Sequence, residues 1–468
     1  MGQQTTFRGK QAIVIGASMA GLLAARALAN HYEQVTLLER DSFPEPGENR
    51  KGVPQGKHAH ALLARGLQIM EAHFPGLTDH LISLGADYGD VSALARYYME
   101  GHLHKPTISG VKAICISRPR LEAEVRQRVL ALPNVEVVTQ CDVLGLLTTP
   151  DKRRVNGVRL IRRQPGSAEE SLAADLVVDA SGRGSRSPAW LESLGYERPS
   201  EDNIKINITY TSCYYRRRPE HIPGVNAVVV DDFRRAGAMI SQEGNRWIVT
   251  LGGYLGEQAT PTHAGILEYA RNLNPPIIYH TLKDAEPLGE PTTYKTPSNL
   301  RRRYERLPRF PTGYLVMGDA LCSFNPIHTQ GMSVAAMESM ALDDCLRQGE
   351  GKLATRFFKQ AAKIVDVAWS LAAESDLRIP EVEGPRSPML RLSNWYVSKL
   401  NQAAQHDAAV SVAFLKVVNL VAMPESLLHP RIVWRVLRGN LSIPSPKMSP
   451  IPSPGQSPDD AITTNPLP

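Results

Sequence analysis

The chain has 468 residues, which is enough for two or three domains that each bury their own core. Its 42% hydrophobic and 21% charged residues are ordinary for a globular protein, and a net charge of +6 is too modest to indicate a nucleic-acid partner. Five scattered cysteines without CxxC pairs, the lack of a signal-peptide pattern and the lack of an apolar run of membrane-spanning length predict a cytoplasmic protein with reduced thiols and no transmembrane segment.

The first elements alternate between strand and helix. A buried strand at Ala12–Ile15 is followed by a Gly-rich turn, a helix that ends at Leu28 and a second strand at Gln34–Leu38. This βαβ order is the usual start of a parallel, doubly wound sheet. Sequence periodicity then predicts helices at His60–His73 and Arg118–Leu132 and a strand at Asn134–Thr139. A short antiparallel segment at Val143–Arg163 and a further strand at Ala174–Ala180 follow.

The middle third has the pattern of an antiparallel sheet. Ile204, Ile206 and Ile208 alternate with polar residues, as on a half-buried strand. Glu243-Gly244-Asn245 separates two apolar runs and predicts a hairpin turn. The other predicted elements of this region are strands at Val228–Val230, Ala236–Ser241 and Arg246–Tyr254 and a short helix at Ala264–Asn272. A strand at Gly313–Met317 and a helix at Gly331–Leu346 then return the chain to the parallel sheet.

A chain that leaves a parallel sheet, builds a second sheet and returns predicts two interleaved domains that share one cleft. The predicted fold class is α/β, α+β overall, with a Rossmann-type domain, an antiparallel-sheet substrate domain and a C-terminal helical region broken at Pro380, Pro385 and Pro388. The expected boundaries are 1–90, 118–198 and 305–352 for the first domain, 91–117 and 199–304 for the second, 353–440 for the helices and 441–468 for a disordered Pro- and Ser-rich tail.

The turn after the first strand has the pattern of a dinucleotide-binding loop. Gly16 permits the tight turn, and Gly21 lets the helix pack closely on the strand. Ser18 stands where a second glycine is usual and is still small enough for a pyrophosphate to approach the helix N-terminus. Glu39 ends the second strand, where its carboxylate can accept hydrogen bonds from an adenosine ribose. A purely structural βαβ turn is the alternative interpretation.

Two further strand ends favour FAD over NAD. Asp179 and Asp319 each lie at the end of a predicted strand, and the carboxyl ends of parallel strands are where ligands bind in such sheets. A ribityl chain carries several hydroxyls, so a carboxylate such as Asp319 is a fitting acceptor. The N–H groups of Gly331–Ser333 begin a helix and could stabilise negative charge on a reduced flavin.

Five segments together resemble one enzyme family. GASMAG with LER, RKGVPQGKHAH, SRPRLE, VVDASGRGSR and GDALCSFNPIHTQGMS are similar to segments of the FAD-dependent monooxygenases related to para-hydroxybenzoate hydroxylase, and most of all to the flavin epoxidases of polyether antibiotic biosynthesis. The resemblance spans about residues 11–346. It implies a sheet-borne substrate pocket that faces the flavin, and oxygen transfer from a flavin C4a-hydroperoxide.

The motifs and their neighbours define the candidate site. No catalytic base is identifiable, and Pro326 and His328 are candidates by position alone. Tyr210 and Tyr254 are candidates for substrate contact, with core packing as the alternative. His58-Ala59-His60 lacks further ligands, so no metal site is predicted. The candidate FAD-binding residues are Gly16, Ser18, Met19, Ala20, Gly21, Glu39, Arg40, Arg50, Lys51, Arg118, Asp179, Gly182, Gly318, Asp319, Pro326, Gly331 and Met332.

The predicted activity is that of a monooxygenase of secondary metabolism, which epoxidises or hydroxylates a bulky apolar substrate with O2 as co-substrate. The expected electron donor is NAD(P)H. Because the sequence has no second GxGxxG turn for a separate NAD(P)H domain, the donor either reduces the flavin directly or acts through a partner flavin reductase. The alternatives are a reductase of prenyl double bonds and a flavin-binding protein without turnover. A halogenase is disfavoured because the WxWxIP motif is absent.

Two segments each allow two interpretations, one of which involves a partner. Arg301-Arg302-Arg303 lacks interleaved aromatic residues, so a solvated surface is favoured over a nucleic-acid site. Val410–Met423 is a largely apolar stretch that contains Lys416 and Asn419. It either caps the core or rests on a membrane as a peripheral contact.

Overall fold

The computed structural model describes residues 7–218, 220–349 and 351–441, so all but the first residue of the predicted disordered tail lies outside the described residues. The strands are β1 (Gly9–Ile15), β2 (Tyr32–Leu38), β3 (Asp87–Asp90), β4 (Ala95–Met99), β5 (His102–Leu103), β6 (Lys112–Cys115), β7 (Val135–Val138), β8 (Cys141–Thr148), β9 (Val155–Arg162), β10 (Glu169–Ala173), β11 (Leu176–Asp179), β12 (Glu201–Arg216), β13 (Ala227–Asp232), β14 (Arg235–Gln242), β15 (Arg246–Gly253), β16 (Thr292–Arg302), β17 (Tyr314–Val316) and β18 (Cys322–Ser323).

Thirteen α-helices connect and cover these strands in the described part of the chain. Single 3₁₀ turns lie at Pro54–Lys57, Tyr304–Arg306, Gly318–Ala320, Pro326–His328 and Pro424–Leu428. The helices are α1 (Met19–Leu28), α2 (Ala64–His73), α3 (Leu77–Ser83), α4 (Arg118–Leu130), α5 (Ser187–Ser193), α6 (His263–Arg271), α7 (Ile277–Leu282), α8 (Gly331–Arg347), α9 (Leu353–Leu371), α10 (Ala373–Asp376), α11 (Pro388–Ala404), α12 (Ala408–Val418) and α13 (Pro430–Leu441).

The first sheet is parallel throughout and has the strand order β17-β11-β1-β2-β7. Its central strands are continuous apolar runs, such as Ala12–Val14 and Val177–Val178, because α1 and the separate antiparallel sheet β10-β9-β8 pack against them. Helices α1 and α8 pack against each other beside it. The predicted α/β fold class, with its Rossmann-type sheet and helical C-terminal region, is confirmed.

The second sheet has eight strands in the order β18-β16-β12-β15-β14-β13-β4-β5. It is antiparallel except for the pair β13–β4, which is parallel and departs from the expected all-antiparallel pattern. Strand β16, which is not predicted from the sequence, pairs with the long strand β12 and brings β18 to the sheet edge. The second sheet thereby reaches the loop that follows β17.

The prediction that Arg301-Arg302-Arg303 forms a solvated surface is wrong. Arg301 is 1% exposed and pairs with Asp366 at 2.6 Å, because it lies on β16 beneath α9. Arg302 is also buried and pairs with Glu201 of β12 at 3.1 Å. These cations therefore tie the second sheet to its neighbours instead of offering a surface to nucleic acid.

The C-terminal helices form their own apolar cluster with residues from α2 and the β3–β6 region. The helical pattern is interrupted between Asp376 and Pro388, where the predicted proline breaks fall. Helix α12 buries Val410, Leu415 and Val417 completely, so this helix packs on the core, whereas Val421 and Met423 after it are exposed. A peripheral membrane contact of the Val410–Met423 segment stays a prediction. No described helix is both long and apolar enough to span a bilayer.

Candidate functional site

The turn between β1 and α1 has the tight geometry that its glycines predict. Gly16 has φ +94°, and a Cβ atom there would lie 2.7 Å from the carbonyl oxygen of Ala180. A Cβ atom on Gly21 would lie 1.8 Å from the Gly16 carbonyl oxygen. Ser18 is the N-cap of α1 and makes no side-chain capping bond, so the first N–H groups of the helix are left for an anionic ligand.

Glu39 is tied to this turn by its own hydrogen bonds. The backbone N–H of Ala17 donates to Glu39 Oε2 at 2.8 Å, and the N–H of Asp41 donates to Oε1 at 3.0 Å. Arg50 pairs with Glu39 at 2.7 Å and with Glu122 at 3.0 Å. Arg50 is buried, so it belongs to a fixed ion-pair network and not to a solvated loop.

Glu122 completes this network and is missing from the sequence-based candidates. Arg118 Nη2 donates to Ser18 Oγ at 3.0 Å and to Glu122 Oε2 at 2.6 Å. Burial disfavours ionisation of Glu122, but Arg118 and Arg50 hold the pKa of its carboxyl below the usual value. Its position four residues after Arg118 on a helix is the sequence signal that could have found it. The Nε groups of Arg50 and Arg118 are buried without a partner in the described chain.

Asp319 lies where α1, the β17–β18 loop and α8 meet. Its side chain is accessible and makes no hydrogen bond within the described residues. Surrounding protein nevertheless desolvates the Asp319 carboxyl and raises its pKa above the usual value, although the charges of Arg118 and Arg183 lower it. The carboxyl therefore lies in a recess and not on an open surface. We call this the cofactor recess and define it by Gly16–Gly21, Arg118, Arg183, Asp319 and Gly331.

Asp179 has a different environment from Asp319. It is fully buried, and its carboxylate accepts hydrogen bonds from the hydroxyls of Ser185 and Ser187 and from the N–H of Ser181 at 2.9 Å. Its carboxylate therefore holds the loop that contains Gly182 and Arg183. In the structure, the carboxylate of Asp179 positions this loop. Direct contact of Asp179 with FAD stays a prediction.

Arg183 links that loop to the second sheet and was not among the sequence-based candidates. Its guanidinium donates to the carbonyl of Ser298 at 2.7 Å and to the hydroxyl of Ser323 at 2.5 Å. Burial lowers the pKa of Arg183, and the nearby Asp319 opposes this. The half-buried side chain of Arg183 thus joins the two sheets at the recess.

The remaining candidates divide by position. Arg40 is exposed and pairs with Asp142 of β8 at 3.4 Å, and Lys51 is exposed. Met19 and Met332 are buried in the core, and Ala20 packs against Gly318, where a Cβ atom would approach the Ala20 Cβ to 2.5 Å. The FAD contacts predicted for these residues stay predictions.

The N-terminus of α8 borders the recess. A Cβ atom on Gly331 would lie 3.7 Å from Asp319 Oδ1. The N-cap residue Gln330 makes no side-chain capping bond, and its Oε1 is buried without a partner in the described chain. The N–H groups of Gly331 and Met332 have no intrahelical acceptor and remain for a ligand. Thr329, just before the helix, adopts φ +52°.

A cavity of about 490 Å³ extends from the 326–330 loop across the second sheet to α11 and α12. Apolar side chains dominate its lining, and Tyr210, His58 and His60 face it from the recess side. Burial lowers the pKa of both histidines to about 4, so both are neutral near pH 7. Typical apolar lining residues are Val229, Ile240, Leu371, Phe414 and Val417.

A buried polar network lies under the wall of this cavity. Asp376 Oδ1 accepts from the hydroxyl of Tyr254 at 2.7 Å and from Asn325 Nδ2 at 3.0 Å, and its Oδ2 accepts from Asn299 Nδ2 at 2.7 Å. His328 Nε2 lies 3.3 Å from Asp376 Oδ1. Tyr254 is thus part of the network and is not a cavity-lining residue, whereas Tyr210 and His328 line the cavity.

Glu338 of α8 is a fully buried carboxyl that the sequence did not single out. Its Oε2 accepts from the N–H of Gly318 at 2.6 Å, and its Oε1 has no partner in the described chain. Burial raises its pKa from 4.5 to about 8. Between these values the folded protein holds a proton that the unfolded chain has released, so the free energy of unfolding falls as pH rises through this window.

The Glu338→Gln variant is therefore expected to gain stability relative to the natural protein as pH rises. Glutamine keeps an acceptor for Gly318 and carries no charge. Relative to the natural protein, its free energy of unfolding should increase by about 1–4 kcal/mol between about pH 5 and pH 8. Urea unfolding at several pH values measures this difference. Glu383→Gln, at an exposed position, is the control, and equal pH dependence in both variants would contradict the assignment.

Comparisons with known sequences agree with this geometry. A family model described as FAD binding domain matches residues 10–349. Protein Rv3254 of Mycobacterium tuberculosis is 34% identical over 454 residues, which cover 92% of this chain and 94% of that protein. Kynurenine 3-monooxygenase of Salinispora arenicola is 25% identical over 382 residues, which cover 76% of each chain.

Solved structures share the fold at low sequence identity. The p-nitrophenol 4-monooxygenase PnpA from Pseudomonas putida has a TM-score of 0.60 and 16% identity, and the match covers 88% of this chain and 99% of that one. The flavin-dependent brominase Bmp2 has a TM-score of 0.64 and 13% identity, with 92% and 99% coverage. Likeness at these identities concerns the fold alone.

The fold and the recess define a flavoprotein built on a parallel dinucleotide-binding sheet. The chain belongs to the FAD binding domain family, whose model matches residues 10–349. The expected likeness to polyether epoxidases stays a prediction.

Proposed function

We propose that the protein transfers one atom of O2 to a bulky, apolar small molecule held in the cavity, with FAD bound in the cofactor recess. The observation that carries this proposal is the apolar cavity of about 490 Å³ that begins at Pro326–Gln330, beside Asp319 and the N-terminus of α8. Cavities of this size and polarity suit organic ligands of natural-product size.

The recess fits FAD on three observations. The Gly16–Gly21 turn forms a cradle that a Cβ atom would fill, next to the free N-terminus of α1, so it can receive the pyrophosphate. Asp319 is a carboxylate without a hydrogen-bond partner, suited to the ribityl hydroxyls. The unpartnered Nε groups of Arg50 and Arg118 leave donors beside the turn. Bound FAD would supply the reduction of O2 that oxygen transfer requires.

The side chains of the protein contribute to this reaction in two ways: they exclude water from the cavity, and they hold or accept a proton. The largely apolar lining keeps solvent from the reacting atoms. If His328 donates its Nε2–H to Asp376, its Nδ1 is a free acceptor at the cavity wall and can take a proton from a hydroxyl or phenol. Epoxidation needs no such base. The choice between epoxidation and hydroxylation therefore depends on the substrate.

Reconstitution with FAD followed by turnover under ¹⁸O2 tests this function. Apolar prenyl alkenes and phenols serve as probes, and product mass is the readout. The expected result is one ¹⁸O atom in the product. A product reduced at an alkene without label would instead indicate a prenyl reductase, and a colourless protein that does not take up FAD would remove the basis of the proposal.

The electron source is tested by stopped-flow mixing of the FAD-loaded protein with NADPH. We propose NAD(P)H as the donor, used directly or through a flavin reductase. Bleaching of the flavin by NADPH alone supports direct use. Bleaching only after addition of a reductase supports the second route.

A further inference from the structure

The exposed apolar side chains of the molecule are concentrated near its C-terminus. Of the described large apolar residues that are more than half exposed, all except Ile108 lie within residues 389–441. We define the apolar patch as Met389, Leu392, Trp395, Met423, Leu428, Trp434 and Leu437.

The members of the patch lie on elements that pack together. Met389, Leu392 and Trp395 recur every three residues on one face of α11, and Trp434 and Leu437 do so on α13. Helices α11 and α13 contact each other, and both α12 and α13 contact the 424–428 turn. The patch residues therefore lie on elements that pack together, and a concentration of exposed apolar side chains of this kind marks an interaction site.

The distribution of tryptophan supports a special role for this region. Trp190, Trp247 and Trp369 are buried, whereas Trp395 and Trp434 are 53% and 58% exposed. Both exposed tryptophans thus belong to the patch. Tryptophan is enriched where an apolar medium meets water, as at the surface of a bilayer.

The patch borders the mouth of the cavity. Leu428 lines the cavity and is also 61% exposed. On α11, the cavity-lining residues Leu390, Ser393 and Asn394 alternate with the patch residues Met389, Leu392 and Trp395. A surface that covers the patch would therefore meet the entrance through which an apolar substrate passes.

The charge of the region selects the kind of partner. Residues 386–441 contain seven Lys and Arg residues against two acidic ones, so most of the net charge of +6 is carried here. One of the two acids, Asp407, is paired with Arg435 at 2.7 Å. Two copies of such a region would repel each other, whereas an anionic lipid surface attracts it.

We propose that the apolar patch docks the protein on an anionic lipid bilayer, with the cavity mouth facing the acyl chains. Trp395 and Trp434 insert at the level of the headgroups, and the surrounding cations contact lipid phosphates. Docking itself does not depend on turnover. Its use for collecting a lipophilic substrate rests on the proposed function.

Co-sedimentation of the full chain with vesicles tests the proposal. Binding is expected to phosphatidylcholine vesicles that contain phosphatidylglycerol, with much weaker binding to pure phosphatidylcholine. The double variant Trp395→Ser/Trp434→Ser is expected to partition at least about tenfold more weakly. The control Ile82→Ser removes an exposed apolar side chain on α3, outside the patch, and is expected to bind as the natural protein does.

Three outcomes would overturn the proposal: no binding of the natural protein to the anionic vesicles, equal binding by the double variant, or a dimer in solution that the double variant dissociates. The last outcome would assign the patch to a second copy of the chain. FAD content is measured in the same samples. Loss of vesicle binding with FAD retained is then distinct from failure of the proposed function, which is read from turnover.

Discussion

The Gly16→Ala variant is expected to lose FAD binding, with an affinity at least about 100-fold weaker than that of the natural protein. Alanine at φ +94° has a conformational cost of about 1–2 kcal/mol. In addition, its Cβ atom would lie 2.7 Å from the Ala180 carbonyl oxygen, so the turn must move away from the end of β11. This displaces the N-terminus of α1, which is proposed to receive the pyrophosphate.

The measurements are flavin absorbance of the purified variant, titration with FAD and thermal unfolding. Gly76→Ala is the matched control, because Gly76 has φ +84° but nothing within 4 Å of its added Cβ atom. It shares the conformational cost and lacks the collision, so it should lose some stability and keep its FAD. A Gly16→Ala protein that is as yellow as the natural one would contradict the placement of the cofactor.

The βαβ unit is predictable from sequence because its information is local. The run Ala12–Ile15 predicts a strand buried on both faces, and Gly16 and Gly21 lie close to it in the chain. Their two close approaches, to Ala180 and to each other, confirm why no larger residue fits. The dinucleotide-binding turn can therefore be predicted from the spacing of a few neighbouring residues.

Strand-end carboxylates show where sequence reasoning stops. Asp179 and Asp319 lie at the carboxyl ends of neighbouring strands of one sheet and look alike in the sequence. In the structure, Ser185 and Ser187 occupy the carboxylate of Asp179, whereas Asp319 has no hydrogen-bond partner in the described chain. Which carboxylate remains free depends on how a loop folds back, and spacing alone does not fix that.

Long-range partners account for most of what the sequence misses. The Asp376 network joins Tyr254, Asn299, Asn325 and His328, which lie between 48 and 122 residues from Asp376 in the chain. These residues meet only because β16 pairs with β12, and β16 is not predicted. The buried ion pairs of Arg301 and Arg302 escape prediction for the same reason.

The Asp376→Ala variant is expected to lose about 3–5 kcal/mol of stability. Removal of the carboxylate leaves the Tyr254 hydroxyl and Asn299 Nδ2 without their buried acceptor, whereas Asn325 Nδ2 keeps its bond to the Tyr254 hydroxyl at 2.9 Å. It also leaves a void beneath the 326–328 turn, which carries His328 at the cavity wall. Urea unfolding measures the loss, because Asp376 is only 2% exposed and the cost cannot be relieved by solvent.

Asp376→Asn separates the role in folding from the role in turnover. It keeps the volume and one acceptor oxygen, but its Nδ2 must face a donor group, so a smaller loss of about 1–3 kcal/mol is expected. If His328 needs Asp376 for its orientation, hydroxylation should slow in a protein that still folds and binds FAD. Asp344→Ala, which removes an exposed partner of Arg347, should change stability by less than about 0.5 kcal/mol. Equal losses in Asp344→Ala and Asp376→Ala would contradict the stabilising role of the network, because Asp376 is buried and accepts several hydrogen bonds whereas Asp344 has one exposed arginine partner.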